Sequence, residues 1–181
     1  PEYLVEKWKA AYGVKTTEKI LEDFLTERPI TVRCRTHKAS LKEIVTSLKA
    51  QGVTVQQAPY LPYALKISDY NHILTLDTFL QGKILVQDIS SMLVAEAASP
   101  KKGDYIIDMC AAPGGKSIHA ADKMGDYGNV DARDVSQYKA DLIKENIHRT
   151  GVINVDAKVQ DATVYDPDSE QAADIVIADV P

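Results

Sequence analysis

The residues of this chain best suited to chemistry lie in one run, Asp-Met-Cys-Ala-Ala-Pro-Gly-Gly-Lys-Ser, residues 108–117. A thiolate at Cys110 could attack an electrophilic carbon, or the residue could form one wall of a ligand loop. Gly114 and Gly115 permit a tight turn and let a ligand come close to the backbone. The N–H groups opening the following helix would then face that ligand and favour a negative group. Asp134 follows Gly114 by 20 residues, at the end of the next apolar run. A carboxylate there can accept hydrogen bonds from ribose hydroxyls. Asp161 and Asp179 close two further apolar runs. A Gly-Gly turn, or an Asp capping a helix, is ordinary in any α/β protein. Their shared register, each at a strand's end, predicts one polar rim. The loop departs from the GxGxxG spacing that suits a pyrophosphate, so the expected ligand is a nucleoside without one.

Positioning these residues requires strands that end where the polar groups begin. From Asp88 onward, "DISSMLVAEAAS" predicts a helix. It is followed by a strand at "YIIDMC", a helix from Gly115 to about Met124, and a strand at "GNVDARDV". A helix from Gln137 to Arg149 and strands at "VDAKVQ" and "DIVIAD" complete the series. Nearly continuous apolar strands alternating with helices predict a parallel, doubly wound α/β sheet covered on both faces. Before Asp88 the pattern differs. Two amphipathic helices, one over Leu4–Tyr12 ending at Gly13 and one from about Thr17, precede an extended "RPITVRCRTHK". Ser40 and Glu43 form a capping box for a third helix, and strands are predicted at "VTVQQ" and Ala64–Ile67. The chain therefore divides into a small α+β domain over 1–87 and an α/β domain over 88–181.

With 181 residues and 45% hydrophobic content, the chain can bury a substantial core. No segment approaches the roughly 18 uninterrupted apolar residues of a membrane span. Two cysteines far apart suit a reducing, cytoplasmic setting rather than a disulfide scaffold, and no CxxC or HxxxH pattern suggests a metal. The net charge of −5 is unevenly spread. Residues 1–88 carry 12 basic against 10 acidic side chains, and residues 89–181 carry 9 against 16. The densest basic cluster is Arg33, Arg35, His37 and Lys38. Arg33 and Arg35 share one strand face opposite Val32 and Cys34, which offers either a solvated face or a phosphate-contacting one. Lys101 and Lys102 could add to it. Cys34 reads as a buried strand residue.

"DMCAAPGGKS", "DARDVS" and "IVIADVP" resemble signature motifs of the Sun/Fmu family of RNA cytosine-5 methyltransferases. "LVQDISSMLVAEAASPKKGDYIID" and "PEYLVEKWKAAYG" resemble the same family, so the likeness spans essentially the whole chain. It is closest to the bacterial type that methylates a cytosine of small-subunit (16S) ribosomal RNA. The resemblance implies a partial class I methyltransferase Rossmann-like domain preceded by the small α+β domain, with S-adenosylmethionine as cofactor and RNA as partner. It implies that Cys110, Ala111, Ala112, Pro113, Gly114, Gly115 and Lys116 wrap the methionine end and ribose. Asp134 would then hold the ribose hydroxyls, Asp161 the adenine edge, and Asp179 the region near the methionine amino group and target base. Cys110 thereby becomes a loop residue. The family's nucleophilic cysteine is expected one residue beyond Pro181, so the 181-residue chain is expected to bind cofactor without transferring a methyl group. Its apolar "DIVIAD" strand is expected to present an unpaired edge prone to self-association. Arg33, Arg35 and Lys38 become candidate RNA contacts. Two rival readings are a non-catalytic nucleoside- or RNA-binding module and a nicotinamide-dependent oxidoreductase. The missing GxGxxG weighs against the second.

Overall fold

The computed structural model describes residues 1–26, 28–125 and 127–180; Pro181, the last residue of the "ADVP" motif, lies outside them. The chain opens with two helices, α1 (Glu2–Tyr12) and α2 (Val14–Phe24), which meet at Gly13 and stack Trp8 on Phe24. Strand β1 (Ile30–Cys34) follows, then α3 (Leu41–Ala50), β2 (Thr54–Gln57), β3 (Ala64–Ser68), the short α4 (Asp77–Leu80) and β4 (Ile84–Val86). The predicted capping box is present. The Ser40 Oγ accepts the Glu43 N–H, and the Glu43 carboxylate accepts the Ser40 N–H at 2.8 Å.

The four strands form an antiparallel sheet in the order β2-β3-β1-β4. One face buries Val32, Cys34, Ile67 and Ile84 against Ile44 and Leu48 of α3. Cys34 lies in this core and burial pushes its thiol up to about 12, so it is inert at neutral pH. Strand β4 was not expected from the sequence. Its three residues are too few to show an alternating pattern, and pairing with β1 is what makes them a strand.

The second half contains α5 (Ile89–Ala98), β5 (Tyr105–Asp108), α6 (Gly115–Met124), β6 (Asn129–Asp134), α7 (Gln137–Thr150), β7 (Val155–Val159) and β8 (Ile175–Ile177). Its strands are parallel, in the order β7-β6-β5-β8. The core joins Ile106, Val130, Ala132 and Ile177 of the sheet to Ala120, Ala121, Met124 and Ile143 of α6 and α7. This is the expected α/β domain with a Rossmann-like parallel sheet. Because β6 flanks β5 on one side and β8 on the other, the chain reverses its direction across the sheet at the end of β5. Open α/β sheets bind ligands at such a reversal, and the loop of residues 109–114 starts there. Strand β8 is an outer strand, and its Val176 is 57% exposed.

The two sheets are joined by charge. Arg33 and Arg35 do share the face of β1 opposite Val32 and Cys34, but that face is not solvated. Both side chains are about 2% exposed, covered by the second domain. Each donates at 2.6 Å to one oxygen of Asp122 on α6. Arg35 also donates to the carbonyls of Thr150, at 2.6 Å, and Gly82, at 3.1 Å. Lys38 donates to the Thr150 carbonyl at the end of α7, and His37 Nε2 lies 3.5 Å from Asp122. Burial alone would raise the Asp122 carboxyl, but the two guanidiniums outweigh it and hold it below the usual range. Phosphate contact by Arg33 and Arg35 is therefore corrected: both cations are spent inside the molecule. Period-two alternation identifies a polar face but does not distinguish water from a neighbouring domain. Lys102 stays at the surface, over the ring of Tyr127.

Candidate functional site

Four attachments hold the loop after β5 in place. Met109 N–H donates to the Ile177 carbonyl (2.9 Å) and Ala111 N–H to the Arg133 carbonyl (2.8 Å). Ala112 N–H donates to Asp134 Oδ2 at 3.0 Å, and Asn146 Nδ2 to the Pro113 carbonyl at 3.0 Å. The loop thus takes its shape from both strands flanking β5 and from α7. Gly114, at φ 100°, is the N-cap of α6 and supplies no side-chain oxygen, so the first N–H groups of that helix are not capped by a side chain.

The structure places the three predicted aspartates differently. Asp134 is buried at the last position of β6, where it accepts Ala112 N–H, Val135 N–H (2.8 Å) and Lys139 Nζ (3.0 Å). Burial would raise its carboxyl, but these donors hold it below the usual range. A carboxylate has about four acceptor sites, so three protein donors leave Asp134 little capacity until the half-exposed Lys139 swings away. Asp161, beyond β7, is at the surface and accepts the Thr163 N–H (2.9 Å) and hydroxyl (2.7 Å). Asp179, beyond β8, pairs with Lys116 Nζ at 2.5 Å. Ala112 is therefore tied to Asp134, and Lys116 to Asp179, across the ends of neighbouring strands. Gln160 N–H donates to the Asp134 carbonyl, bringing the Asp161 turn alongside. Cys110 is half-buried in the loop.

Two cavities adjoin these residues. One of about 290 Å³ lies beneath the 160–170 segment and is lined by Met109, Arg133, Asp161 and Tyr165. That segment is held by Arg133, which donates to Asp131 (2.6 Å), Asp166 (3.1 Å) and Ser169 (2.8 Å). The other, of about 210 Å³, lies between Ala111–Pro113 and Lys116 of the loop and the Gln87–Ser91 turn. The candidate residues are thus divided, Asp161 on one cavity and the loop on the other.

Sequence reasoning passed over Asp108, although it opens the quoted motif. It is fully buried; Ser117 Oγ donates to its Oδ2 at 2.6 Å, and its Oδ1 has no donor among the described residues. Burial pushes its carboxyl up to about 6. The available signal was an acidic residue ending an otherwise apolar strand.

Two family models match the chain. The family described as "16S rRNA methyltransferase RsmB/F" matches residues 95–181. The "Methyltr_RsmF/B-like, ferredoxin-like domain" family matches residues 1–73. The chain belongs to the RsmB/F methyltransferase family. A probable ribosomal RNA small subunit methyltransferase B of Bacillus subtilis is 38% identical over 162 residues, which is 90% of this chain and 36% of that protein. The 26S rRNA (cytosine-C(5))-methyltransferase nsun-1 of Caenorhabditis elegans is 31% identical over 84% of this chain and 24% of its own length. The crystal structure of PH0851 matches the whole chain with a TM-score of 0.81 at 32% identity, over 41% of its own length. The chain therefore spans less than half the length of these relatives.

Proposed function

We propose that this chain is the cofactor-binding part of an S-adenosylmethionine-dependent enzyme that methylates C5 of cytosine in RNA, with 16S ribosomal RNA as substrate. The observation that carries the reading is the loop of Cys110–Lys116 at the reversal point of the sheet, pinned to Asp134 through the Ala112 N–H.

The residues present fit that cofactor. Asp108 Oδ1 is a buried acceptor lacking a donor among the described residues, and the start of α6 offers N–H groups free of a side-chain cap. These two features suit a ligand carrying both an ammonium and a carboxylate. In this reading Cys110–Lys116 enclose the methionine end, Asp134 the ribose, Asp161 the adenine edge, and Lys116 with Asp179 the approach of the target base. When bound, S-adenosylmethionine supplies an electrophilic methyl group. The chain's own residues hold it, exclude water and orient the base. Cytosine C5 becomes nucleophilic only after a thiolate adds to C6. The buried, high-pKa Cys34 does not meet that need.

Calorimetric titration tests the reading. S-adenosylmethionine is expected to bind and NAD is not. Asp161→Ala should weaken binding about tenfold, the loss of one charged hydrogen bond, while the melting temperature stays nearly unchanged, because among the described residues the exposed Asp161 carboxylate bonds only to the neighbouring Thr163. Binding of NAD alone would overturn the proposal.

A further inference from the structure

The cavity of about 210 Å³ has one wall that the cofactor reading leaves unused. Gln87, Asp88 and Ser91 form it, at the junction between the antiparallel sheet and α5, facing Ala112, Pro113 and Lys116 of the loop. Gln87 is 6% exposed, and its Oε1 accepts a hydrogen bond from Arg33 Nε at 2.8 Å. A guanidinium only donates, so this bond fixes which way the amide faces. The amide nitrogen Nε2 is thereby turned from Arg33 and has no acceptor among the described residues. It lies beside Gly115, where a Cβ would come within 4.0 Å of it.

A buried donor without an acceptor is costly, about 1–3 kcal/mol, and is rare in native structures. The polar residues Ser91 and Asp88 line the same cavity, as does Lys116, whose Nζ pairs with Asp179. Val86, Ala111 and Pro113 supply apolar surface. The volume is below the roughly 300–1,000 Å³ of pockets that take drug-sized ligands, which suits one ring rather than a complete cofactor. Enzymes that act on a base take it out of its stack, hold it between apolar groups and read its Watson–Crick edge by hydrogen bonds.

The geometry points to this cavity as the seat of a single extruded RNA pyrimidine, with Gln87 Nε2 donating to a carbonyl or ring-nitrogen acceptor on the base. The inference rests on the RNA-methyltransferase reading above and adds a base-reading residue supplied from the domain junction. Arg33 contributes as a positioning residue: it fixes the amide while spending its charge on Asp122.

The test replaces Gln87 with Glu. A carboxylate keeps the bond to Arg33 and the shape of the side chain but turns the donor into an acceptor, and a melting curve checks the fold. Two short labelled single-stranded RNAs are compared by anisotropy, one with a single cytosine among adenines and one abasic at that position. S-adenosylhomocysteine is titrated in parallel. The wild-type chain should prefer the cytosine RNA about tenfold, the worth of one good hydrogen bond. Gln87→Glu should abolish that preference and leave S-adenosylhomocysteine affinity within about twofold. Arg33→Lys, which retains a cation for Asp122 but lacks Nε, should reduce the preference as well. A preference that survives in Gln87→Glu, or is absent from the wild type, overturns the inference. So does a parallel fall in S-adenosylhomocysteine affinity, which would give the cavity to the cofactor. Failure of the wild type to bind S-adenosylhomocysteine would instead sink the cofactor reading, leaving any cytosine preference as an independent result.

Discussion

Asp108 and Asp134 end adjacent strands of one sheet, yet their surroundings drive their carboxyls in opposite directions. Asp134 collects two backbone N–H groups and a lysine, which favour the ionised form. Asp108 is buried more deeply, with one hydroxyl donor and an oxygen that has no donor among the described residues, and burial pushes its carboxyl up to about 6. A raised folded-state value means that folding favours the protonated form. Stability is then full below the unfolded value of about 4 and declines as pH rises through about 6. Relative to Asp108→Asn, the wild-type chain should lose roughly 2–3 kcal/mol of unfolding free energy between pH 4 and pH 7. Urea titrations of both proteins across that range would show it. Parallel pH profiles would mean that Asp108 is better solvated than its burial implies. Sequence alone marked Asp134 through its spacing from the glycines. For Asp108 it offered only an acidic residue at the end of an apolar strand, because burial and the missing donor arise from the packing of α6 against β5.

The elements that shape the site depend on close backbone approaches as much as on side chains. Gly82, in the turn before β4, adopts φ +63°, and a Cβ there would lie 2.5 Å from the Arg149 carbonyl oxygen. The turn can therefore rest on the end of α7 only if residue 82 has no side chain. Gly82→Ala should cost about 2–4 kcal/mol, combining backbone strain with overpacking. Gly13→Ala is the control, because a Cβ at that position meets nothing within 4 Å. It should cost about 1 kcal/mol from its φ of +77° alone. Denaturant midpoints of the two variants decide the matter, and equal losses would show that the approach at Gly82 is not tight. Gly13 marks the end of a helix in the sequence, and Gly82 drew no such reading. Only the tertiary contact makes one of them intolerant of a methyl group.

At the scale of the whole molecule, the two halves share a buried charge cluster. Asp122 on α6 answers Arg33 on β1 and Arg35 just beyond it, and the candidate loop runs directly into α6, so one helix is tied both to the first domain and to the loop. Removing one partner from a buried ion pair strands the remaining charges and costs about 3–5 kcal/mol. The wild type is expected to melt in one thermal transition, and Asp122→Ala should split it into two, with the lower midpoint falling by about 10 °C or more. Scanning calorimetry would detect this. One unsplit transition at the wild-type midpoint would show that apolar contact alone joins the domains.

The amino-acid sequence by itself determined most of the local order. Hydrophobic periodicity set the helices and parallel strands, Ser40 and Glu43 set a cap, and the Cys110–Lys116 block carried the family resemblance and marked the candidate loop. These are properties of neighbouring residues, and spacing records them. Tertiary structure alone decided that Arg33 and Arg35 face Asp122 rather than an RNA phosphate, that three residues at Ile84–Val86 become a strand, and that Gln87 Nε2 and Asp108 Oδ1 are buried with no partner among the described residues. Each outcome depends on a partner remote in the chain, some 90 residues away for Arg33 and Asp122. A polar residue carries no local sign of whether water, a neighbouring domain or a ligand will face it.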